Sequence, residues 1–417
     1  MKRLDIIFCG WGQQWPLGTL AQAETGNRQV LFEYSPEALQ RGIEFSKLHL
    51  PLSPRTYSGF PAHLGGVPGF IADALPDGWG LLLMDRVFRA AGRDPSSLTT
   101  LDRLALIADR AMAALAFKPA GDLALAPEHL SLQELAVAAR RVIQDRDTSA
   151  LHTLALLGGS PHGARPKALV QFDRATRNVS TAADGPGQPW LVKFPAQHEH
   201  PEVCAIEYAY AQMAASVGID MPRAELFKIT PKLAAFGVER FDRHQGQRIP
   251  VQSFAAALHA DFRLPSLDYQ AILQATRYLT ASQPEVLKAY QRCVFNVVFN
   301  NKDDHAKNFA LRLNAQMPEQ AAWQLAPAYD LTFNPGPAGH HQTSVMGQAL
   351  QPTRADLLAL AKACDIAAQF ARSTIDQICD AAQGLAGLLD DAGVRRATRQ
   401  HVVKVVALNV GRCGVVG

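Results

Sequence analysis

Along the chain the spacing of apolar residues changes character twice. Leu4 to Cys9 and Gln29 to Tyr34 are β-rich runs on either side of a polar stretch, so the chain is expected to open as a small sheet. Pro and Gly punctuate residues 51–78, and GFIADALPDGWGLLLMDRVFRAAG (69–92) reads as helix, Pro-Asp-Gly turn, helix. A first domain should end near residue 120. Ser131 followed by Glu134 is a capping-box pair, and Leu132, Leu135, Ala139, Val142 and Ile143 recur behind it at helical spacing. KALVQFD (167–173) and WLVKFP (190–195) then read as two strands joined by a long polar loop. A helix from Glu202 to about Val217 follows, and after it the strand-like AELFKI (224–229) and LAAFGVERFD (233–242).

Beyond residue 255 the period becomes helical. Val286, Leu287, Tyr290, Cys293, Val294, Val297 and Val298 form one apolar stripe. The expected architecture is α+β: an N-terminal β-rich domain (1–120), a connecting helix with a β-rich lobe (121–255) and an all-α lobe (256–417). A β-rich lobe followed by a helical one is the bilobal plan of kinases, although fold alone does not fix function.

Composition narrows the class. Hydrophobic residues are 48% and charged residues 19%, which is globular rather than disordered composition. The formal charge of +3, from 41 basic and 38 acidic residues, is too small to be a nucleic-acid footprint, so contact with DNA is expected only through a partner. The six cysteines contain no C-x-x-C pair, which argues against a zinc site or a disulfide framework and for reduced thiols in a cytoplasm. No apolar run approaches the 18 or so residues of a membrane span, and no membrane association is expected.

The chemistry concentrates in FNVVFNNKDDHAKNFALRL (295–313), where polar residues crowd behind an apolar helix. Asp303 and Asn308 have the D-x-x-x-x-N spacing of a kinase catalytic loop, in which the Asp accepts the substrate hydroxyl proton and the Asn binds magnesium. Asp330, 22 residues after Asn308, stands where kinases place a second magnesium-binding Asp, and such hard oxygen ligands suit Mg²⁺. A solvated polar loop is the bland alternative. It is weakened by the apolar entry helix and by an Asp set in the apolar run LAPAYDL. Lys193 in WLVKFP matches the strand lysine that kinases turn to the ATP phosphates, and Glu207, 14 residues on, is its candidate partner. Most strand lysines are edge or solvent residues. In GGSPHGARPKAL (158–169), Gly158 and Gly163 have the first Walker A spacing, but Ala164 and Arg165 replace the required Lys and Ser/Thr, so a P-loop ATPase is not expected. Arg165 and Lys167 with nearby backbone N–H groups could still hold an anion, against the alternative of a surface turn.

The order GARPKA, WLVKFP, GVERFDR, NNKDDHAKNF, LAPAYDL resembles the HipA-type serine/threonine kinases of bacterial type II toxin–antitoxin modules, across nearly the whole chain. The resemblance implies ATP and Mg²⁺ as cofactors, with Asp303 as base, Asn308 and Asp330 as metal ligands and Lys193 as phosphate-binding lysine. His305 and Lys307 would belong to the same catalytic loop, and Gly163, Arg165 and Lys167 to a phosphate loop. Glu239 and Phe241, in the VERFDR run, would lie against adenine, and Ser160 would be the autophosphorylated regulatory serine. Pro161 and His162 beside it, and Gln252-Ser253 where many members carry an acidic pair, depart from the family pattern. The implied partners are a HipB-like antitoxin, which would bring the only contact with DNA, and a protein substrate such as an aminoacyl-tRNA synthetase. Two other readings are carried: a metal-dependent phosphohydrolase using Asp303, Asp304, His305 and Asp330, and a non-catalytic antitoxin corepressor.

Overall fold

A computed structural model describes all residues except 24–28, 124, 126–128, 147–148, 159–160, 183–184, 197–198, 315–320 and 415–417. The chain forms two compact units: Met1–Pro201 with Phe227–Gln252 and Asn314–Ala321, and Glu202–Leu226 with Ser253–Leu313 and Ala322–Gly417.

The first unit opens on a four-stranded antiparallel sheet in the spatial order Val30–Tyr34, Trp15–Gln22, Lys2–Phe8, Leu115–Lys118. Trp15–Gln22 lies between the two strands legible in the sequence, and Pro16 and Gly18 hid it from the strand pattern. The segment 69–92 forms the helices Gly69–Ala72 and Gly78–Ala90 about the expected turn.

The second sheet of this unit has the order Asn178–Ser180, Lys167–Asp173, Gln188–Lys193, Leu233–Glu239, Ala224–Thr230. Successive strand residues point to opposite faces. One face, through Ala168, Val170, Trp190, Val192, Phe227 and Ala235, packs on the helices Leu132–Ile143 and Leu151–Gly158 by way of Leu135, Ala139, Val142 and Leu154. The former helix starts at the expected Ser131/Glu134 capping box. Register puts Lys167 opposite Lys193 and Lys193 opposite Phe236, so these three share the other face.

After that sheet the chain is pinned by a buried ion cluster. Asp242 accepts from Arg240 (2.7 Å), from Arg243 (2.8 Å) and from the Ala113 backbone N–H (2.9 Å). Arg248 donates to the carbonyls of Asp109, Ala111, Ala113 and Leu115. The N-terminal strand region and the 240–248 segment are thereby tied by hydrogen bonds that water would otherwise have to satisfy. Burial raises the Asp242 carboxyl, but the two guanidinium groups and the hydrogen bonds outweigh it and hold it well below the usual carboxylate range. A depressed carboxylate contributes stability above its unfolded value near 4, and that stability is lost as pH falls toward the folded value. Acid unfolding of the wild type should therefore have a component, beginning below about pH 5, that Asp242→Asn lacks. Chemical denaturation from pH 3 to 7 checks this, and identical slopes for the two proteins would contradict it.

The second unit is built round the helix Gln283–Val298, whose Val286, Tyr290, Cys293, Val294, Val297 and Val298 are buried. It packs among Val203–Ser216, Tyr269–Thr280 and the C-terminal helices, and Tyr210 donates to the Phe299 carbonyl (2.8 Å). Besides the expected helices it carries short strand pairs, Ala310–Leu313 with Trp323–Leu325 and Leu267–Asp268 with Thr343–Ser344. Runs of two to four residues are too short to show a period of two.

Candidate active site

The central helix ends at Phe299, and Asn300 takes a positive φ of 55°, which turns the chain back and delivers residues 301–308 as a loop. Asn301 bridges to Asn334, and the Lys302 N–H donates to the Asn334 carbonyl (3.2 Å). The loop finishes in a single turn of 3₁₀ helix, Ala306–Asn308. His305 caps that turn, its Nδ1 accepting from the Lys307 N–H (3.2 Å). The Asn308 amide donates to the Asp303 carbonyl (2.7 Å). These two bonds fix the spacing of Asp303 and Asn308 from inside the loop.

Asp303 keeps its carboxylate partly exposed, 40% for the side chain, with one oxygen accepting from Gln342 Nε2 at 2.8 Å. His305 Nε2 is 3.8 Å from that oxygen, too far for a hydrogen bond. Lys307 lies over the Phe262 ring, 4.3 Å from its centre, and that ring also meets His305. The Tyr329 hydroxyl donates to the Lys307 carbonyl (2.6 Å), which brings the segment bearing Asp330 to the end of the loop. Asp330 itself has a φ of 54°, a conformation uncommon outside glycine that marks functional sites when the surroundings enforce it. Beneath the loop a small cavity is lined by Arg292, Asn296, Asn301, Asn308 and Tyr329 among others.

Asp304, next to Asp303, points the other way and is wholly buried. One oxygen accepts from Tyr269 (2.8 Å) and His341 Nδ1 (2.8 Å), the other from the N–H groups of Gln342 (2.8 Å) and Thr343 (3.2 Å). Asn296 donates to the Tyr269 oxygen and Asn301 donates to Asn296 (2.9 Å each). Burial, reinforced by Asp304, pushes the Tyr269 phenol well above its ordinary value, so it stays a neutral donor. None of Tyr269, His341 or Gln342 stood out in the sequence. The single signal available was that two adjacent carboxylates need two different sets of partners.

In the first unit, Lys167 and Lys193 are both buried, at 3% and 5% exposure, directly opposite each other on antiparallel strands. Like charges so placed repel, and burial adds a desolvation cost, so an anionic ligand on that face would be favoured. Lys167 Nζ donates to the His162 carbonyl, and Lys193 Nζ lies 5.7 Å from the centre of the Phe236 ring. Gly163, at a φ of 101°, passes over the Lys167 ammonium so closely that a Cβ would meet it at 2.5 Å. Arg165 pairs with Glu199 (3.1 Å). Glu239 lies opposite Trp190 at the end of its strand, and Phe241 follows before Asp242. Glu207 lies in the second unit, buried in the helix Val203–Ser216. Ser160 lies outside the described residues.

Known proteins give the same outline. The HipA N-terminal domain family matches residues 11–118 and the HipA-like C-terminal domain family matches residues 159–385. Among solved structures the fold resembles that of the Shewanella oneidensis MR-1 HipA toxin–antitoxin complex with HipB and operator DNA, at 16% identity and a TM-score of 0.69, covering 98% of this chain and 96% of that one. A proinflammatory kinase from Helicobacter pylori, CtkA, aligns at 13% identity over 55% of this chain and 85% of its own, with a TM-score of 0.39, too remote to argue from. No curated protein sequence matches. With one family domain covering more than half of the chain and its companion domain lying ahead of it, the chain belongs to the HipA family.

Proposed function

We propose that this chain is an ATP- and Mg²⁺-dependent protein serine/threonine kinase, acting as the toxin of a HipBA-like toxin–antitoxin module. The observation that carries the reading is the 303–308 loop: a partly exposed carboxylate held by Gln342, and an Asn whose NH₂ donates back to the loop itself. With its NH₂ engaged, Asn308 offers its amide oxygen, a hard ligand. Asn308 and Asp330 would hold magnesium, which commonly takes one or two protein carboxylates and completes its shell with phosphate and water. ATP supplies the phosphoryl group, and the metal neutralises its charge.

The chain's own residues do the remaining work. Asp303 accepts the proton of the substrate hydroxyl and orients it, with one carboxylate oxygen fixed by Gln342 and the other left for substrate. Lys193 and Lys167 bind phosphates, Gly163 and Arg165 complete the phosphate loop, and Glu239 and Phe241 hold adenine. Glu207 is assigned to nucleotide binding on the resemblance alone, while His305 and Lys307 stiffen the catalytic loop. Autophosphorylation is assigned to Ser160 on the resemblance alone. The Shewanella structure contains HipB and operator DNA, which supports a HipB-like antitoxin as partner here, with DNA reached through it. The protein substrate is proposed to be a translation component such as an aminoacyl-tRNA synthetase, in the cytoplasm. No helix among the described residues is long and apolar enough to cross a membrane.

The phosphohydrolase reading is weaker on physical grounds, because Asp304, one of its four ligands, has all its visible acceptor capacity spent on buried donors. Thermal-shift titration tests the kinase. Mg-ATP at about 100 times its dissociation constant should stabilise the protein by roughly 2.7 kcal/mol, and radiolabelled γ-phosphate should appear on protein. No shift with ATP and magnesium together would count against the proposal.

A further inference from the structure

The turn Leu75–Trp79 of the N-terminal domain grips the Gly163–Lys167 loop. Asp77 is the N-cap residue of the helix Gly78–Ala90, yet its side chain makes no cap hydrogen bond to that helix. An Asp in this position ordinarily accepts from the second or third helical N–H. Here the carboxylate accepts instead from the N–H of Gly163, 86 residues away in sequence. The contacts continue on both sides. The Trp79 N–H donates to the Gly163 carbonyl (3.1 Å), Trp79 Nε1 donates to the Lys167 carbonyl (3.1 Å), and His162 Nε2 pairs with the Leu75 carbonyl (3.1 Å). Gly78 is required by proximity: a Cβ there would meet the Ala164 Cα at 2.7 Å and the Gly163 oxygen at 2.8 Å.

We infer that Asp77 is a positioning residue for nucleotide, through which the N-terminal domain holds the phosphate loop in its binding conformation. The inference rests on the proposed ATP reading of that loop. A glycine-bearing loop has many conformations of similar energy, and a ligand that needs one of them binds less tightly by the fraction of time the loop spends elsewhere. A carboxylate on the Gly163 N–H, with the Trp79 bonds to either end, removes that freedom before nucleotide arrives. The same bond joins the two family domains directly at the loop, so a partner that shifted the Leu75–Trp79 turn would change nucleotide affinity without touching Asp303.

The test uses the full chain with Asp77→Ala, Asp77→Asn and Gly78→Ala, measuring KM for Mg-ATP, kcat, and amide exchange of the peptide spanning 161–167. Losing a charge-assisted hydrogen bond should raise KM about tenfold in Asp77→Ala with kcat within about twofold. Exchange in 161–167 should rise. Asp77→Asn keeps an oxygen acceptor for the N–H and should stay within about threefold of wild type. Gly78→Ala, which drives Ala164 off the turn, should follow Asp77→Ala. An unchanged or lowered KM in Asp77→Ala, or an equal loss in Asp77→Asn, overturns the inference. Failure of the wild-type chain to turn over ATP at all would overturn the kinase reading instead, which keeps the two apart.

Discussion

On the proposed kinase reading, Asp303→Ala should lower phosphoryl transfer by about 10²- to 10⁴-fold while leaving Mg-ATP affinity and thermal stability close to wild type. The proposed base is lost, but nothing in the fold depends on it. Its carboxylate is 40% exposed and, among the described residues, accepts a side-chain hydrogen bond from Gln342, so removing it leaves an amide that water can reach. Asp330→Ala should behave differently. A lost metal ligand raises the magnesium concentration needed for half-maximal activity and weakens nucleotide binding, so KM and kcat move together. Steady-state kinetics at several magnesium concentrations separate the two variants. If both kept full transfer activity, the assignment of these carboxylates would be wrong.

What the sequence revealed of this site follows from which interactions are local. Asp303, His305, Lys307 and Asn308 fall within one six-residue loop shaped by two hydrogen bonds of its own, so their spacing carries that part of the geometry and can be read directly. The strands bearing Lys167 and Lys193 were legible for a similar reason, because alternation in KALVQFD and WLVKFP records one face packed on helices. Partners that arrive from elsewhere were not legible. Gln342 reaches Asp303 across 39 positions, and Asp77 reaches Gly163 across 86, from segments with no periodicity of their own. The strand Trp15–Gln22 was missed because pairing with neighbours on both sides outweighs the poor strand tendency of Pro16 and Gly18. The polar environment of Asp304 was likewise invisible, because Tyr269 and His341 look in isolation like an ordinary core aromatic and an ordinary loop histidine.

Asp304→Ala should be the most damaging single change in the second unit, by a route opposite to that of Asp303→Ala. Removing the carboxylate leaves the Tyr269 hydroxyl, His341 Nδ1 and the N–H groups of Gln342 and Thr343 facing a dry void. Each unsatisfied buried donor costs about 1–3 kcal/mol, partly relieved by relaxation, so a loss of about 3–5 kcal/mol is expected. The transition of this unit should move down by roughly 10 °C. Activity falls as a consequence, because the 341–343 segment that Asp304 anchors also carries the Gln342 side chain to Asp303. Asp304→Asn isolates the cause. Its amide oxygen can accept from the two backbone N–H groups, which cannot reverse, while its NH₂ faces Tyr269 and His341, whose hydroxyl and ring nitrogen can both switch from donor to acceptor. The asparagine variant should therefore recover most of the stability and much of the activity, whereas Asp303→Asn, like Asp303→Ala, should keep the stability and lose the activity. Calorimetry and transfer assays on the four variants read out this crossed pattern. An Asp304→Ala protein as stable as wild type, or an Asp304→Asn protein as unstable as the alanine variant, would show that the buried hydrogen bonds do not hold the catalytic loop in place.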